Sequence, residues 1–124
     1  MILGIGCDVL HIDRIIRLIS YNNFLNKYFT EKEIKMFNVN IRNKKNYNKK
    51  IASNFCVKEA FFKAISSKID SYSFSSVEIL RDEFGKPYIN LYGNLQEFNK
   101  EYNLHVSISN ERNIVTSFVV VEKI

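Results

Sequence analysis

The sequence contains no long apolar run, few cysteines and no glycine-rich phosphate loop, and each absence excludes a class of protein. No apolar run in the 124 residues approaches the roughly 20 residues of a membrane-spanning helix, so we predict no membrane partner. Cys7 and Cys56 lack the spacing of a disulfide framework, and we expect both to be small core residues. Neither GxGxxG nor GxxxxGKS/T occurs, which excludes the common phosphate-binding loops.

Length, charge and the start of the chain indicate one cytoplasmic domain that meets an acidic partner. With 124 residues, 46% of them hydrophobic and 25% charged, the chain fits a single globular domain over residues 1–124. Met1 leads directly into a short predicted strand that contains Asp8, so we expect no signal peptide and a cytoplasmic location. The net charge of +5 favours an acidic partner, and nucleic acids, anionic cofactors and acidic proteins all fit.

Hydrophobic periodicity predicts an α+β fold in the order βααα followed by ββαββ, with a largely antiparallel sheet packed on one long helix. The predicted strands are 2–9, 74–80, 87–92, 104–109 and 115–121, and the predicted helices are 11–19, 31–37, 47–66 and 93–102. Thr30 followed by Glu33 is a capping-box signature, which places the start of the second helix. The basic stretch 38–50 is predicted to be a solvated loop that leads into the long helix.

Three charged residues from two elements indicate a site for a divalent cation and a phosphate. Glu59 and Lys63 are four residues apart, so they share one face of the long helix. Asp8 ends the apolar run 2–7. Two carboxylates suit Mg²⁺, which takes oxygen ligands together with substrate phosphates, and a lysine suits a phosphate oxygen. Two simpler alternatives remain open: a surface ion pair between Glu59 and Lys63, and a helix N-cap at Asp8.

Other polar residues carry weaker signals. Lys58 falls nearly on the apolar stripe of the long helix, so it must reach solvent or find an anion. Taken alone, His105 at the head of a predicted strand is more often a structural histidine. Ser107 and Ser109 share one face of that strand, but no nucleophile elbow surrounds either, which excludes a serine hydrolase.

Four motifs follow one another along the chain in an order that is informative. Residues 4–9 read GIGCDV, residues 55–64 read FCVKEAFFKA, residues 82–87 read DEFGKP, and residues 105–109 read HVSIS. Their order and spacing resemble the holo-acyl-carrier-protein synthases, the small branch of the 4'-phosphopantetheinyl transferases. The resemblance covers residues 2–122, and a KEAxxK core with an N-terminal GxD is a fairly specific combination.

The resemblance implies a fold of that family, a reaction and a set of site residues. Members transfer 4'-phosphopantetheine from coenzyme A to a serine of an apo acyl carrier protein with Mg²⁺, or Mn²⁺ in its place, and release adenosine 3',5'-bisphosphate. Asp8 and Glu59 match the residues that hold the metal, and Lys63 matches the lysine that faces the cofactor phosphates. Four more residues fall in motifs that line the coenzyme A site: Lys86, Pro87, His105 and Ser107. Small members are usually homotrimers with the site at the subunit interface.

Three places depart from the family's pattern. Asn54 stands where the family commonly has an arginine, and Asn110 stands where many members have a histidine. Residues 66–68 read SSK where a Gly-Thr-Gly turn is usual. These departures bear on coenzyme A affinity and on the shape of a loop, because the metal ligands and Lys63 are intact.

The positive charge fits the acidic carrier protein that the resemblance implies. Arg14 and Arg17 lie on the polar side of the predicted helix 11–19, close in sequence to Asp8. We expect both arginines to be free to meet a partner, and we predict that they form the docking surface for the carrier.

The alternative function is a non-enzymatic, basic RNA-binding module. Such a module needs aromatic residues that stack on bases beside the basic stretch 38–50. Tyr72, Tyr88 and Tyr92 are the candidates, and no RNP-like motif accompanies them. We therefore favour the transferase and predict no nucleic-acid partner.

Overall fold

The computed structural model describes residues 1–69 and 73–124 as an α+β fold. Its elements are β1 Ile2–His11, α1 Ile12–Ile19, α2 Phe24–Tyr28, α3 Glu31–Asn38, α4 Lys44–Ile65, β2 Val77–Arg81, β3 Pro87–Leu91, α5 Phe98–Glu101, β4 Tyr102–Glu111 and β5 Ile114–Lys123. The predicted fold class is confirmed. Among the described residues, no helix combines the length and apolar character needed to cross a membrane.

Several boundaries differ from the sequence-based prediction for local reasons. The five-residue helix α2 was not predicted, because one turn is too short to show a periodic pattern. Helix α4 begins at Lys44 rather than near Tyr47, since the side chain of Asn43 caps it by accepting from the backbone N–H of Asn46.

The predicted strand 74–80 begins later than expected, and the predicted helix 93–102 is interrupted. Phe74–Ser76 form a 3-10 turn before β2, and the predicted helix 93–102 is a 3-10 turn at Gly93–Leu95 followed by α5. Tyr102 already belongs to β4.

The strands form two antiparallel sheets. In the three-stranded sheet β5 lies between β1 and β4, and β2 pairs with β3 in a separate hairpin. Along β1 the side chains alternate, so Asp8 and Leu10 are buried while Cys7 and Val9 are exposed on the other face. Cys56 is buried as expected, but the prediction that Cys7 is a core residue is wrong.

Helix α4 is the centre of the core. Thirteen of its residues are buried, which is typical of a helix covered on several sides. Its first half packs with α1, α2 and α3 around Ile15, Phe37 and Ile51, and its second half packs with both sheets around Phe61 and Val119.

A buried ion pair joins α4 to α3. Lys58 Nζ lies 2.7 Å from Glu33 Oε1, and both side chains are fully buried. Burial lowers the pKa of Lys58 to about 8 and raises that of Glu33. Glu33 is therefore the anion that the sequence led us to expect for Lys58. Lys58 also donates to the backbone carbonyls of Tyr28 and Phe74. The predicted capping box between Thr30 and Glu33 is confirmed.

Two glycines allow β1 to lie directly against the backbone of α4. A Cβ atom at Gly4 would lie 1.9 Å from the carbonyl oxygen of Ala64, and one at Gly6 would lie 1.9 Å from that of Ala60. No side chain fits at either position, because the opposing atoms are helix backbone. Asp8 follows two residues after Gly6 on the same face, so the close approach delivers its carboxylate to α4.

We predict that Gly6→Ala lowers the free energy of unfolding by about 3 kcal/mol, the upper end of the usual overpacking cost, because helix backbone must move aside. Gly93→Ala is the matched control: its Cβ would meet only Ser76 Oγ at 3.6 Å, so the change costs only its positive φ of 62°, about 1–2 kcal/mol. Denaturant unfolding of both variants measures the difference. Equal losses would contradict the backbone contact.

Candidate active site

Asp8 and Lys63 meet where β1 crosses α4. Asp8 Oδ1 accepts a hydrogen bond from Lys63 Nζ at 3.0 Å, and the same ammonium donates to the carbonyl oxygen of Cys7 at 2.9 Å. The hydrogen bond and the charge of Asp8 raise the pKa of Lys63. Asp8 is 9% exposed, and none of the described residues donates a hydrogen bond to its buried Oδ2.

Glu59 completes the cluster from the same face of α4. Burial raises its pKa, and the neighbouring carboxylate of Asp8 raises it further. The positive charge of Arg14 lowers the pKa of Glu59, because its guanidinium lies 3.3 Å from Glu59 Oε1. The same guanidinium lies 5.5 Å from the centre of the Phe55 ring. The structure therefore brings Asp8, Glu59 and Lys63 together, as predicted.

Both simpler alternatives for these residues are wrong. Lys63 pairs with Asp8 on another element, so it is not merely the surface partner of Glu59. Asp8 lies inside β1, and the residue at the N-cap of α1 is His11.

The cluster fits a divalent cation held by two carboxylates. The part of the chain that the structure describes contains no group of three or more His, Cys, Asp or Glu side chains suited to a metal. Mg²⁺ needs no such group, since one or two carboxylates plus water and substrate phosphates suffice. The buried Asp8 Oδ2 without a donor and the adjacent Glu59 supply such a pair.

Two side chains donate hydrogen bonds that fix the backbone carbonyl of Asp8. Thr116 Oγ1 donates to the Asp8 carbonyl at 3.0 Å, and Cys56 Sγ donates to it at 3.4 Å. Ser117 Oγ in turn donates to Cys56 Sγ at 3.1 Å. Burial raises the pKa of Cys56 to about 12, so the thiol keeps its proton and remains a donor. Sequence analysis predicted Cys56 only as a core residue and missed Thr116 and Ser117, which the antiparallel register of β1 and β5 brings to Asp8.

A second group of predicted residues lies around β3 and β4. Lys86, Pro87 and His105 line one cavity of about 380 Å³. His105 Nε2 lies 3.0 Å from a carboxylate oxygen of Glu122 on β5. Ser107 is exposed two residues further along β4, on the same face as His105, and is not among the residues lining this cavity.

A further cavity was not predicted. It has a volume of about 410 Å³, and its cations are Lys49, Lys50 and Arg81. Pro87 lines this cavity as well as the one that contains His105, so the two adjoin. The lysines belong to a stretch that we predicted only as a solvated loop and a helix start.

The two arginines predicted to meet the carrier differ in the structure. Arg17 is exposed, but Arg14 is engaged by Glu59, so the expectation that both are free is wrong for Arg14. The apolar side of α1 is also narrower than predicted: Ile12 and Ile15 are buried, whereas Ile16 is 46% exposed.

Of the three aromatic residues named for the RNA-binding alternative, the structure describes two. Tyr88 and Tyr92 are partly exposed, but the hydroxyl of Tyr92 donates to Glu78 Oε1 at 2.8 Å. Tyr72 lies outside the described residues.

The fold and the carboxylate–lysine cluster match one family. The sequence profile of the 4'-phosphopantetheinyl transferase superfamily matches residues 4–119. The chain therefore belongs to this superfamily, and the predicted resemblance and the prediction of a transferase are confirmed.

Individual relatives agree over the whole chain. The holo-(acyl-carrier-protein) synthase of Lachnoclostridium phytofermentans is 41% identical over 98% of this chain and 97% of that protein. The crystal structure of the synthase of that name from Neisseria meningitidis is 33% identical and has a TM-score of 0.83, over 99% of this chain and 100% of that one. The Bacillus anthracis synthase, solved in complex with CoA (3',5'-ADP), is 28% identical with a TM-score of 0.80, over 100% and 99% of the two chains.

Proposed function

We propose that this protein transfers the 4'-phosphopantetheine group of coenzyme A to a serine of an apo acyl carrier protein and releases adenosine 3',5'-bisphosphate. The observation that carries the proposal is the cluster of Asp8, Glu59 and Lys63, placed on the family's fold. The names of the relatives support the carrier as acceptor. The Bacillus anthracis synthase, which was solved with CoA (3',5'-ADP), supports coenzyme A as donor.

Asp8 and Glu59 would hold a divalent cation, Mg²⁺ or Mn²⁺. Burial and, to a smaller extent, the charge of Asp8 raise the pKa of Glu59, and a divalent cation between the two carboxylates would relieve both effects. A cation held by these two carboxylates would polarise phosphate oxygens and offset the charge that develops on them. Lys63 is well placed to contact the same phosphates, because its side chain is 55% exposed and only its tip is held by Asp8.

Coenzyme A would lie along β3 and β4. Lys86, Pro87 and His105 surround one cavity, which supports their predicted role in binding it. Ser107 lies on the same exposed face of β4 and would contact the ligand where it extends beyond that cavity. The cytoplasmic location and the single domain over residues 1–124 remain predictions from the sequence.

We also propose a homotrimer. The outer face of the three-stranded sheet exposes apolar side chains: Ile5 is 59% exposed, Val9 65% and Phe118 44%. These residues belong to the adjacent strands β1 and β5, so they form one apolar face, and faces of this kind mark protein interfaces. A neighbour on this face would cover it and would complete a coenzyme A site close to β4.

The reaction is tested by incubating the protein with coenzyme A, Mg²⁺ and an apo carrier and then weighing the carrier by mass spectrometry. We expect the carrier to gain one phosphopantetheine group. Asp8→Asn and Glu59→Gln keep the shape of each side chain but remove its charge, so each should slow transfer by about 100-fold or more. Asp13→Asn, at an exposed carboxylate on α1, is the control and should transfer normally. Wild-type rates in Asp8→Asn or Glu59→Gln at limiting Mg²⁺ would refute the metal assignment.

For carrier docking, Arg17→Glu is the cleaner variant, because Arg14 is paired with Glu59. We expect Arg17→Glu to raise the KM for the carrier roughly tenfold at low salt and to leave the KM for coenzyme A unchanged, since an exposed charge acts mainly on encounter. Arg14→Glu places a carboxylate beside Glu59 and should alter both constants. The control is Lys100→Glu on α5. Unchanged carrier kinetics in Arg17→Glu would remove α1 as the docking surface.

For assembly, light scattering should give the mass of a trimer for the wild type. Val9→Glu places a charge on the apolar face of the sheet and should dissociate it, whereas Val39→Glu changes an exposed valine outside the sheet and should not. An active wild-type monomer at working concentration would rule out the proposed homotrimer.

A further inference from the structure

We infer that Arg81, held in place by the buried side chain of Asn54, binds a phosphate group of coenzyme A in the cavity of about 410 Å³ beside Pro87. This inference rests on the proposed function for the identity of the ligand. The charge of the cavity, the orientation of Asn54 and the charge balance around Glu33 support it independently.

The cavity is built for an anion. Lys49 and Lys50 from α4 and Arg81 from β2 line it, and among residues 1–69 and 73–124 no aspartate or glutamate does. Three asparagine side chains add neutral hydrogen-bonding groups at the same walls: Asn40, Asn46 and Asn110. Three cations without a carboxylate repel one another, and a phosphate relieves that repulsion while it accepts their hydrogen bonds.

Asn54 has one permitted orientation. It is fully buried, and its Nδ2 donates to Glu33 Oε2 and to the carbonyl oxygen of Ile79, both at 2.9 Å. Both of those atoms are acceptors, so the amide nitrogen must face them and Oδ1 must face the opposite way. Oδ1 accepts from Arg81 Nη2 at 3.0 Å. The buried network therefore fixes one arm of the guanidinium.

Arg81 is not needed to neutralise Glu33. Lys58 already pairs with Glu33 at 2.7 Å inside the core, so the charges of that pair balance. Arg81 therefore brings an additional positive charge to the cavity wall. Burial lowers the pKa of Arg81, and the charge of Glu33 acts in the opposite direction. Because the guanidinium is already partly removed from water, an anionic ligand loses less free energy to its desolvation on binding.

The guanidinium keeps donors for a ligand. Arg81 has five N–H groups, and the described residues accept from two of its nitrogens, at Asn54 Oδ1 and at the Leu80 carbonyl. A planar fork held on one side suits the geometry of a phosphate. Pro87 connects this cavity to the one lined by Lys86 and His105, so a ligand with several phosphates can occupy both.

The test is the Kd of coenzyme A, measured by calorimetry on the intact protein. Arg81→Gln should weaken binding about 10- to 100-fold, the loss of a charge-assisted contact to phosphate. The Kd of Arg81→Lys should lie between those of the wild type and Arg81→Gln, because lysine keeps the charge but not the two parallel N–H groups of the guanidinium. Lys100→Gln removes one positive charge from a residue that lines neither cavity and is the matched control, expected to bind normally.

A double-mutant comparison tests whether Asn54 positions Arg81 for coenzyme A binding. Asn54→Ser shortens the link to Arg81, so it should weaken coenzyme A although Arg81 is present. Adding Arg81→Gln to Asn54→Ser should then cost less than Arg81→Gln costs in the wild type. Thermal melts show whether Asn54→Ser folds, and if it does not, the Arg81 variants decide. An equal cost of Arg81→Gln in both backgrounds would remove the positioning role.

A second ligand identifies the phosphate. If Arg81→Gln weakens coenzyme A but not 3'-dephospho-coenzyme A, Arg81 binds the 3'-phosphate, and if it weakens both, Arg81 binds the diphosphate. An unchanged Kd for coenzyme A overturns the inference. So does an effect confined to the KM for the carrier, which would make the cavity a carrier contact. A wild type that binds coenzyme A but does not modify the carrier would refute the proposed function instead.

Discussion

The direct contact between β1 and the backbone of α4 determines where every part of the charged cluster lies. Gly4 and Gly6 remove the side chains that would otherwise separate strand and helix. The strand therefore delivers Asp8 to the face of α4 that carries Glu59 and Lys63. Two residues far apart in sequence become neighbours because the elements that carry them touch at backbone distance, and a wider spacing would leave the carboxylates too far apart to share a cation.

Glu33 organises the other side of α4. One carboxylate closes the capping box of α3, pairs with Lys58 and accepts from the side chain of Asn54 and the backbone of Ile79. These bonds tie α3, α4 and β2 together inside the core. A buried charge is tolerated there because all its partners are donors, and breaking one of them would leave an unpaired ion. The same network reaches the basic cavity through Asn54.

The sequence predicted the parts of the protein whose signals are local. Glu59 and Lys63 are four residues apart on one helix, and Thr30 and Glu33 form a short motif, so both were recognised. Contacts between distant residues were predicted only where the family resemblance implied them, as for Asp8 with Glu59 and Lys63. Arg14 pairs with Glu59 across 45 positions, and sequence periodicity cannot report such a contact. The exposed face of β1 was missed for a related reason: alternation shows that a strand has two faces, but not which face the core covers.

The thiol of Cys56, which donates a hydrogen bond to the backbone carbonyl of Asp8, is unreactive. A thiolate, not a thiol, attacks oxidants and alkylating reagents. With a pKa of about 12, Cys56 is a thiolate in only about one molecule in 10⁵ at neutral pH. Its buried position also excludes reagents. A buried cysteine can therefore support the backbone at Asp8 without making that support sensitive to redox conditions.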